Sequence, residues 1–339
     1  MRIALVGAGQ FGRKHIETIR NEPQCELAAV ADPLYTGENA FSDYREMLER
    51  AKPQGVIIAT PNALHVPVGL ACVERGVPIL VEKPIADSVA ASNELVSAAL
   101  RQGVPLLVGH HRRYNPILEK AREIVQGGGI GRLTAVAALW LLQKPADYFD
   151  VAWRRAAGGG PLLINAIHDI DDLRFVCGEI DEVRALTSNA SRGFDVEDTA
   201  AIALRFANGA LGTLTVSDAA AAPWSWELTA GENPVYPRQG ESCYFFSGSE
   251  GALAVPGMTL FSYGKKKGWH APLARRTIEV AREDPQVRQL RHFCRVIRGE
   301  EAPRIDGADA TRTLAVVEAI ISGADCASLR RGDGTHPSG

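Results

Sequence analysis

No two of the six cysteines (Cys25, Cys72, Cys177, Cys243, Cys294 and Cys326) stand at C-x-x-C spacing. Thiols scattered in this way suggest neither a zinc site nor a disulfide framework, and their default reading is reduced and mostly buried. A run of about 18 apolar residues, long enough to span a bilayer, is also missing. The chain enters its first strand at once, leaving no room for a signal peptide, so a cytoplasmic protein is expected. Charge of one sign is absent as well: 37 Lys and Arg face 40 Asp and Glu, a net charge of −3. That balance gives no general drive towards nucleic acid or an anionic membrane, and small neutral or anionic partners remain open. What is present is an ordinary globular composition, 46% hydrophobic and 23% charged over 339 residues. This length favours about two domains and a sizeable core, and no internal repeat divides it.

The first twelve residues organise the chain. Ile3-Ala4-Leu5-Val6 is an apolar run without alternation, as in a strand buried on both faces, and Gly7-Ala8-Gly9-Gln10-Phe11-Gly12 follows directly. Gly7 permits a tight turn, Gly9 lets backbone approach a pyrophosphate, and Gly12 lets the next helix pack closely with its amino-terminal N–H groups towards the phosphates. A second buried strand, Leu27 to Ala31, ends at Asp32, about 25 residues beyond Gly7, near the spacing at which a carboxylate accepts ribose hydroxyls. A carboxylate there repels a 2′-phosphate, so NAD is favoured over NADP. Asp32 equally suits a turn before Pro33.

Strands at Gly55–Thr60, Pro78–Glu82 and Leu106–Val108 alternate with helices, which predicts a doubly wound parallel sheet. Ligands of such sheets lie at the carboxyl ends of the strands. That rule gathers Asp32, Thr60-Pro61-Asn62, Glu82-Lys83-Pro84 and His110-His111-Arg112-Arg113 on one rim. Lys83, directly after a buried strand and before a proline, suits a partly dry site where its charge polarises a substrate oxygen; a solvated loop lysine is the alternative.

From Asn115-Pro116 the alternation stops, and the domain boundary is placed there, giving residues 1–115, 116–325 and a tail at 326–339. A helix to about Gln126 and the strand Leu133–Leu142 open the second domain. Further strands are predicted near 182–187, 199–206, 210–217, 226–229, 243–247, 252–255 and 259–263, many in turn-linked pairs, as in a mainly antiparallel sheet. Helices near 285–298 and 308–322 close the chain, and the tail from Arg330 is expected to be disordered. After Gly158-Gly159-Gly160, Pro161 suits a first helical position, which puts Asn165, His168 and Asp172 on one helix face. A neutral His168 imidazole can take an alcohol proton near pH 7, although a helix histidine is also a common structural hydrogen-bonder. Trp153-Arg154-Arg155 offers an aromatic face and fixed cations. Trp224 and Trp226 lie in a turn-rich loop that suits a polyol ring and a subunit interface equally well.

Taken in order, Gly7-Ala8-Gly9-Gln10-Phe11-Gly12, Ala59-Thr60-Pro61-Asn62 with His65, Glu82-Lys83-Pro84, and Gly158-Gly159-Gly160 leading to His168-Asp169-Ile170-Asp171 resemble the Gfo/Idh/MocA oxidoreductases, the glucose-fructose oxidoreductase and inositol dehydrogenase family. The resemblance runs from Met1 to about Ser322. It implies an α/β fold, a Rossmann domain followed by an α+β domain whose open sheet forms a homodimer or homotetramer contact. It also implies hydride transfer between NAD, or NADP, and a secondary alcohol of a sugar, cyclitol or related polyol. By position, Lys83 orients the reacting oxygen, His168 carries the proton, and Trp153-Arg154 matches a pair near the nicotinamide. Cofactor contacts are expected from Gly7, Gly9, Gln10, Phe11, Gly12, Asp32, Thr60, Pro61, Asn62, His65, Glu82 and Lys83. Substrate contacts are expected from Lys83, Arg112, Asn165, His168 and Trp224, with no metal. Two departures stand out. The aspartate usual four residues before the helix histidine is Ile164 here, leaving Asn165 to bond a hydroxyl and Asp169 or Asp172 to orient His168. The segment from Asp32 to Ser42 is too short for the helix usual there. Two other readings stay open: a carboxylated or cis-dihydrodiol ring substrate clamped by arginines 112, 113, 154 and 155, and a silent NAD-sensing regulator.

Overall fold

The computed structural model describes Met1–Gly323, so the expected tail at 326–339 and Cys326 lie outside the described residues. Two compact units are present: Met1–Tyr114 with Glu283–Leu314, and Asn115–Arg282 with the chain from Ala315.

The first unit begins with β1 (Arg2–Val6), α1 (Gln10–Asn21), β2 (Glu26–Ala31), β3 (Ala40–Phe41), α2 (Tyr44–Ala51), β4 (Gly55–Ile58), α3 (His65–Val73), β5 (Ile79–Val81), α4 (Val89–Gln102) and β6 (Leu106–Val108). All six strands are parallel, in the order β3-β2-β1-β4-β5-β6. The order reverses between β1 and β4, and Gly7 follows the first of these strands while Thr60 follows the second. In open sheets of this kind that crevice is where ligands bind. As the length of the segment predicts, no helix lies between Asp32 and Ser42; a short connection there ends in the two-residue β3 alongside β2.

The second unit comprises α5 (Pro116–Gln126), β7 (Leu133–Leu141), α6 (Ile167–Cys177), β8 (Ile180–Ser188), β9 (Thr199–Phe206), β10 (Leu211–Ser217), α7 (Trp226–Thr229), β11 (Tyr244–Gly248), β12 (Gly251–Val255), β13 (Thr259–Tyr263) and β14 (Leu273–Thr277). These strands form one eight-stranded sheet, β14-β13-β12-β11-β7-β10-β9-β8, antiparallel except for β7 beside β10. Every second residue of β9 is buried, and the alternate positions Ala201, Ala203 and Arg205 are exposed. The buried face meets α5 and α6 in a core that includes Leu118, Trp140, Ile170, Leu173 and Phe246.

Three expectations change here. Trp226–Thr229 is a helical turn and not a strand, because Ser225 caps it, its hydroxyl accepting the Leu228 N–H. The all-exposed strand β14 carries no alternation from which it could be read. Finally, α8 (Pro285–Ile297), capped by Asp284, groups with the first unit and not with the expected 116–325 domain. Its apolar stripe, Leu290, Phe293, Cys294 and Val296, joins Ile16 and Ile19 of α1 and the strands of the parallel sheet in one core. The last helix, α9 (Gly307–Ser322), groups with the first unit as far as Leu314 and with the second thereafter. Among the described residues no helix is long and apolar enough to cross a membrane.

Candidate functional site

In the first unit the glycine turn separates two demands. A Cβ on Gly7, whose φ is +93°, would lie 2.6 Å from the Ala59 carbonyl oxygen, and one on Gly12 would lie 2.0 Å from the Gly7 oxygen. Protein packing alone therefore requires glycine at both positions. Gly9 differs: a Cβ there meets nothing within 4 Å. Nothing among the described residues explains that glycine, and it stands at the start of α1, where no side chain caps the helix. Open space before uncapped amide N–H groups is what an anionic pyrophosphate requires.

Asp32 fits both of its readings. Its Oδ1 accepts the Leu34 N–H at 2.8 Å, a turn bond, while its Oδ2 accepts the Ala8 N–H at 2.7 Å and so ties the end of β2 to the glycine turn. Each carboxylate oxygen retains a further lone pair for a hydroxyl. After β4, the Thr60 hydroxyl oxygen is buried without a hydrogen-bond partner among the described residues. His65 is buried, with Nδ1 2.8 Å from the Pro84 oxygen and Nε2 3.0 Å from the Thr60 oxygen. Burial holds it below the ordinary imidazole range, against those two carbonyls. A neutral ring donates to one of them at a time, bracing the loops after β4 and β5. Pro61 and Asn62 continue the first loop, and Gln10 and Phe11 stand exposed at the helix start.

Glu82 is buried and pairs with His15 of α1 at 2.7 Å. Burial pushes its carboxyl up, but the His15 hydrogen bond and the charges of His15, His111 and Lys83 outweigh that and hold it at about 2. Lys83, half-buried, donates its backbone N–H to Glu82 Oε2 at 3.3 Å. The ionised carboxylate thus fixes the base of the Lys83 loop. His15 was not legible from spacing alone, since nothing in a helix of this composition marks which residue faces a strand end.

The arginines of the proposed carboxylate clamp are largely committed elsewhere. Arg113 pairs with Asp309, and Arg112 is buried. In the second unit Arg154 donates to the Tyr148 oxygen at 2.7 Å and lies over the Tyr148 and Trp153 rings. Trp153 is 54% exposed, and Arg155 is exposed.

The helix after Pro161 departs from the single 3.6-residue period expected. Leu162–Ala166 forms a π turn, closed by the Ile167 N–H on the Leu162 oxygen, before α6 begins. The wider turn breaks the spacing between Asn165 and His168, so the expected shared face holds only for His168 and Asp172, both within α6. Asn165 Oδ1 is buried with no hydrogen-bond partner among the described residues. Asp169 and Asp172, expected to orient His168, both accept the Tyr244 hydroxyl, at 2.5 and 3.1 Å. Tyr244 comes from β11 and had no local motif to announce it. Glu197 braces the π turn by accepting the Leu162 N–H at 3.0 Å, and a Cβ on Gly160 would strike its carboxylate at 2.1 Å.

Beyond the carboxyl ends of the parallel pair β7 and β10, Lys144 lies 3.4 Å from Asp218, over the Trp140 and Tyr148 rings. Burial lowers its ammonium against the Asp218 charge. Arg192 pairs with the same Asp218 at 2.8 Å. Of the two loop tryptophans, Trp226 is a core residue stacked on Tyr244 with ring centroids 5.7 Å apart, while Trp224 remains 39% exposed.

Comparison with known proteins matches residues 1–110 to a family described as an oxidoreductase family with an NAD-binding Rossmann fold, and residues 118–254 to the GFO/IDH/MocA C-terminal domain. The rhizopine catabolism protein MocA of Rhizobium meliloti is 33% identical over 187 residues, 52% of this chain and 57% of that protein. An inositol 2-dehydrogenase of Rubrobacter xylanophilus is 32% identical over 233 residues, 62% of this chain and 63% of its own. This chain spans about three fifths of the length of such curated relatives. Among solved structures, the WlbA dehydrogenase from Bordetella pertussis in complex with NADH and UDP-GlcNAcA has a TM-score of 0.76 and 25% identity, with 96% of each chain covered.

Proposed function

The chain belongs to the Gfo/Idh/MocA oxidoreductase family, and on that premise we propose that it is an NAD-dependent dehydrogenase of a secondary alcohol on a sugar, cyclitol or related polyol. The observation that carries the reading is the open Cβ position of Gly9 at the uncapped start of α1, between two glycines whose own Cβ positions are blocked. Gln10, Phe11, Asp32, Thr60, Pro61 and Asn62 border the same crevice of the first unit. When bound, the nicotinamide supplies the hydride acceptor for oxidation and the donor for reduction.

The chain's own residues do the rest. Lys83, on a loop braced by the ionised Glu82 and by His65, presents an ammonium that polarises the alcohol oxygen. The imidazole of His168 accepts the hydroxyl proton during oxidation and returns it in reduction. Asn165 Oδ1, a buried acceptor with no partner among the described residues, suits a donating hydroxyl. That favours a polyol over the carboxylated ring, since Arg113 is already paired with Asp309. Arg112 and Trp224 stand as the remaining substrate contacts. Asp32, tied to Ala8, directs its negative charge to where a 2′-phosphate would lie, and so NAD is preferred. The inositol dehydrogenase relative supports the substrate class. The exposed residues of β9, Ala201 and Ala203 among them, offer a small-residue face for a homodimer or homotetramer.

The deciding experiment is a panel of cyclitols, sugars, dihydrodiols and carboxylated rings assayed with NAD and NADP at the reduced-cofactor absorbance band. Turnover of a polyol with NAD is expected, and Lys83→Ala or His168→Ala should lower kcat by about 100-fold or more while NAD affinity is retained. Tight NAD binding without turnover of any compound would leave the silent regulator standing.

A further inference from the structure

Cys25 lies in the loop between α1 and β2, and Cys294 on α8, separated by 269 residues of chain within the same unit. Their Sγ atoms are 3.2 Å apart. Two sulfurs in ordinary contact stand about 3.6 Å apart, and a disulfide bond is about 2.05 Å long. The pair is therefore already inside contact distance, and about 1 Å of side-chain movement separates it from a bond. From these positions we infer that Cys25 and Cys294 form a reversible disulfide under oxidation, a covalent modification site within the nucleotide-binding unit.

Access and chemistry both support the site. Cys25 is partly exposed whereas Cys294 is buried, so a small oxidant approaches from the Cys25 side. The hydrogen bond shared with Cys25 lowers the Cys294 thiol against its burial, with the Arg298 cation acting in the same sense, and the Cys25 thiol is correspondingly raised. Either sulfur of the hydrogen-bonded pair can donate its proton, so either can serve as the nucleophile. With a peroxide as oxidant, one sulfur of the pair, as its thiolate, attacks one peroxide oxygen, the O–O bond breaks and hydroxide leaves, giving a sulfenic acid. The other sulfur then attacks the sulfenic sulfur, the S–O bond breaks, and the hydroxyl departs as water with the proton of that second thiol. Overall two thiols lose two electrons and hydrogen peroxide becomes two waters, counting the proton released when the thiolate formed. A dithiol reverses the change. Cys72 presents the contrast: it is buried, and burial pushes its thiol up to about 12.

The consequence is a staple between the segment that returns to the first unit and the turn that follows α1. Closing so long a loop restricts the unfolded chain strongly.

The test treats the full chain with limiting hydrogen peroxide, blocks remaining thiols with iodoacetamide, and maps peptides without reduction. The expected result is a Cys25–Cys294 cross-linked peptide, an intact mass lower by about 2 Da, reversal by dithiothreitol, and a thermal transition raised by about 5 °C or more in the oxidised form. Cys25→Ser and Cys294→Ser should each abolish the cross-link and the thermal shift. Both cysteines recovered as carbamidomethyl or sulfinic derivatives, or the same mass loss persisting in both serine variants, would overturn the assignment.

Discussion

Replacing the three glycines of the first turn one at a time separates folding from cofactor binding. At Gly9, φ is −64°, a value alanine adopts readily. Alanine is a poorer N-cap than glycine by about 0.5–1 kcal/mol, while the lost freedom of the unfolded chain returns about 0.4–1 kcal/mol. With nothing within 4 Å of the new methyl, the two effects offset, and the thermal midpoint should move by no more than about 2 °C. The methyl instead occupies the space assigned to a pyrophosphate oxygen. Lengthening one charge-assisted hydrogen bond to that group costs about 1.5–3 kcal/mol, so NADH affinity should fall about 10- to 100-fold. Gly12→Ala behaves in the opposite way, because its Cβ would sit 2.0 Å from a backbone oxygen of the same turn. That contact cannot be relieved by rotating a side chain, and a loss of about 3 kcal/mol or more is expected. Gly7→Ala adds left-handed strain, at φ +93°, to its own 2.6 Å contact. Calorimetry on the three variants with NADH titration by fluorescence measures both quantities. A folded Gly9→Ala protein that binds NADH as tightly as the parent would refute the cradle, and one that melts like Gly7→Ala would refute the open space.

Other outcomes follow from single contacts. Asp32→Ala removes the acceptor for the Ala8 and Leu34 N–H groups and the charge opposed to a 2′-phosphate, so the ratio of NAD to NADP affinity should fall about tenfold or more; an unchanged ratio contradicts the ribose contact. Glu82, near 2 in the folded protein against 4.5 unperturbed, binds fewer protons folded than unfolded, so its contribution is complete above pH 4.5 and lost as pH falls towards 2. His15→Ala should therefore raise the acid-unfolding midpoint by about one pH unit, read by circular dichroism. Tyr244→Phe deprives Asp169 and Asp172 of a shared buried donor and should cost about 2–3 kcal/mol in urea unfolding; a change below about 0.5 kcal/mol would mean that the carboxylates do not depend on it.

What could be read before folding follows the range of each interaction. The buried run Ile3–Val6 and the alternation after it announce a parallel sheet, because both faces of such strands are covered and each crossover needs a helix. The glycine spacing is local as well. The π turn at Leu162–Ala166 was not legible, since apolar periodicity carries no sign of one wider turn, and Glu197, which supports it, is 35 residues away. Trp226 and Leu228 alternate like strand residues, yet one serine hydroxyl one position earlier starts a helical turn. The Tyr244 bonds and the Cys25–Cys294 contact join positions 72 to 269 residues apart, where only the completed fold decides proximity.

The division of the first unit into Met1–Tyr114 and Glu283–Leu314 bears on how the chain matures on the ribosome. Synthesis runs from the amino terminus, and the parallel sheet emerges long before α8. Until then Ile16 and Ile19 wait for Leu290, Phe293 and Val296, and a nascent chain halted near Tyr114 carries an uncovered apolar stripe. A gene fragment ending there should yield aggregates, whereas a fusion that joins residues 1–114 to 283–314 through a short flexible linker supplies the missing cover and offers a way to obtain the nucleotide-binding unit alone.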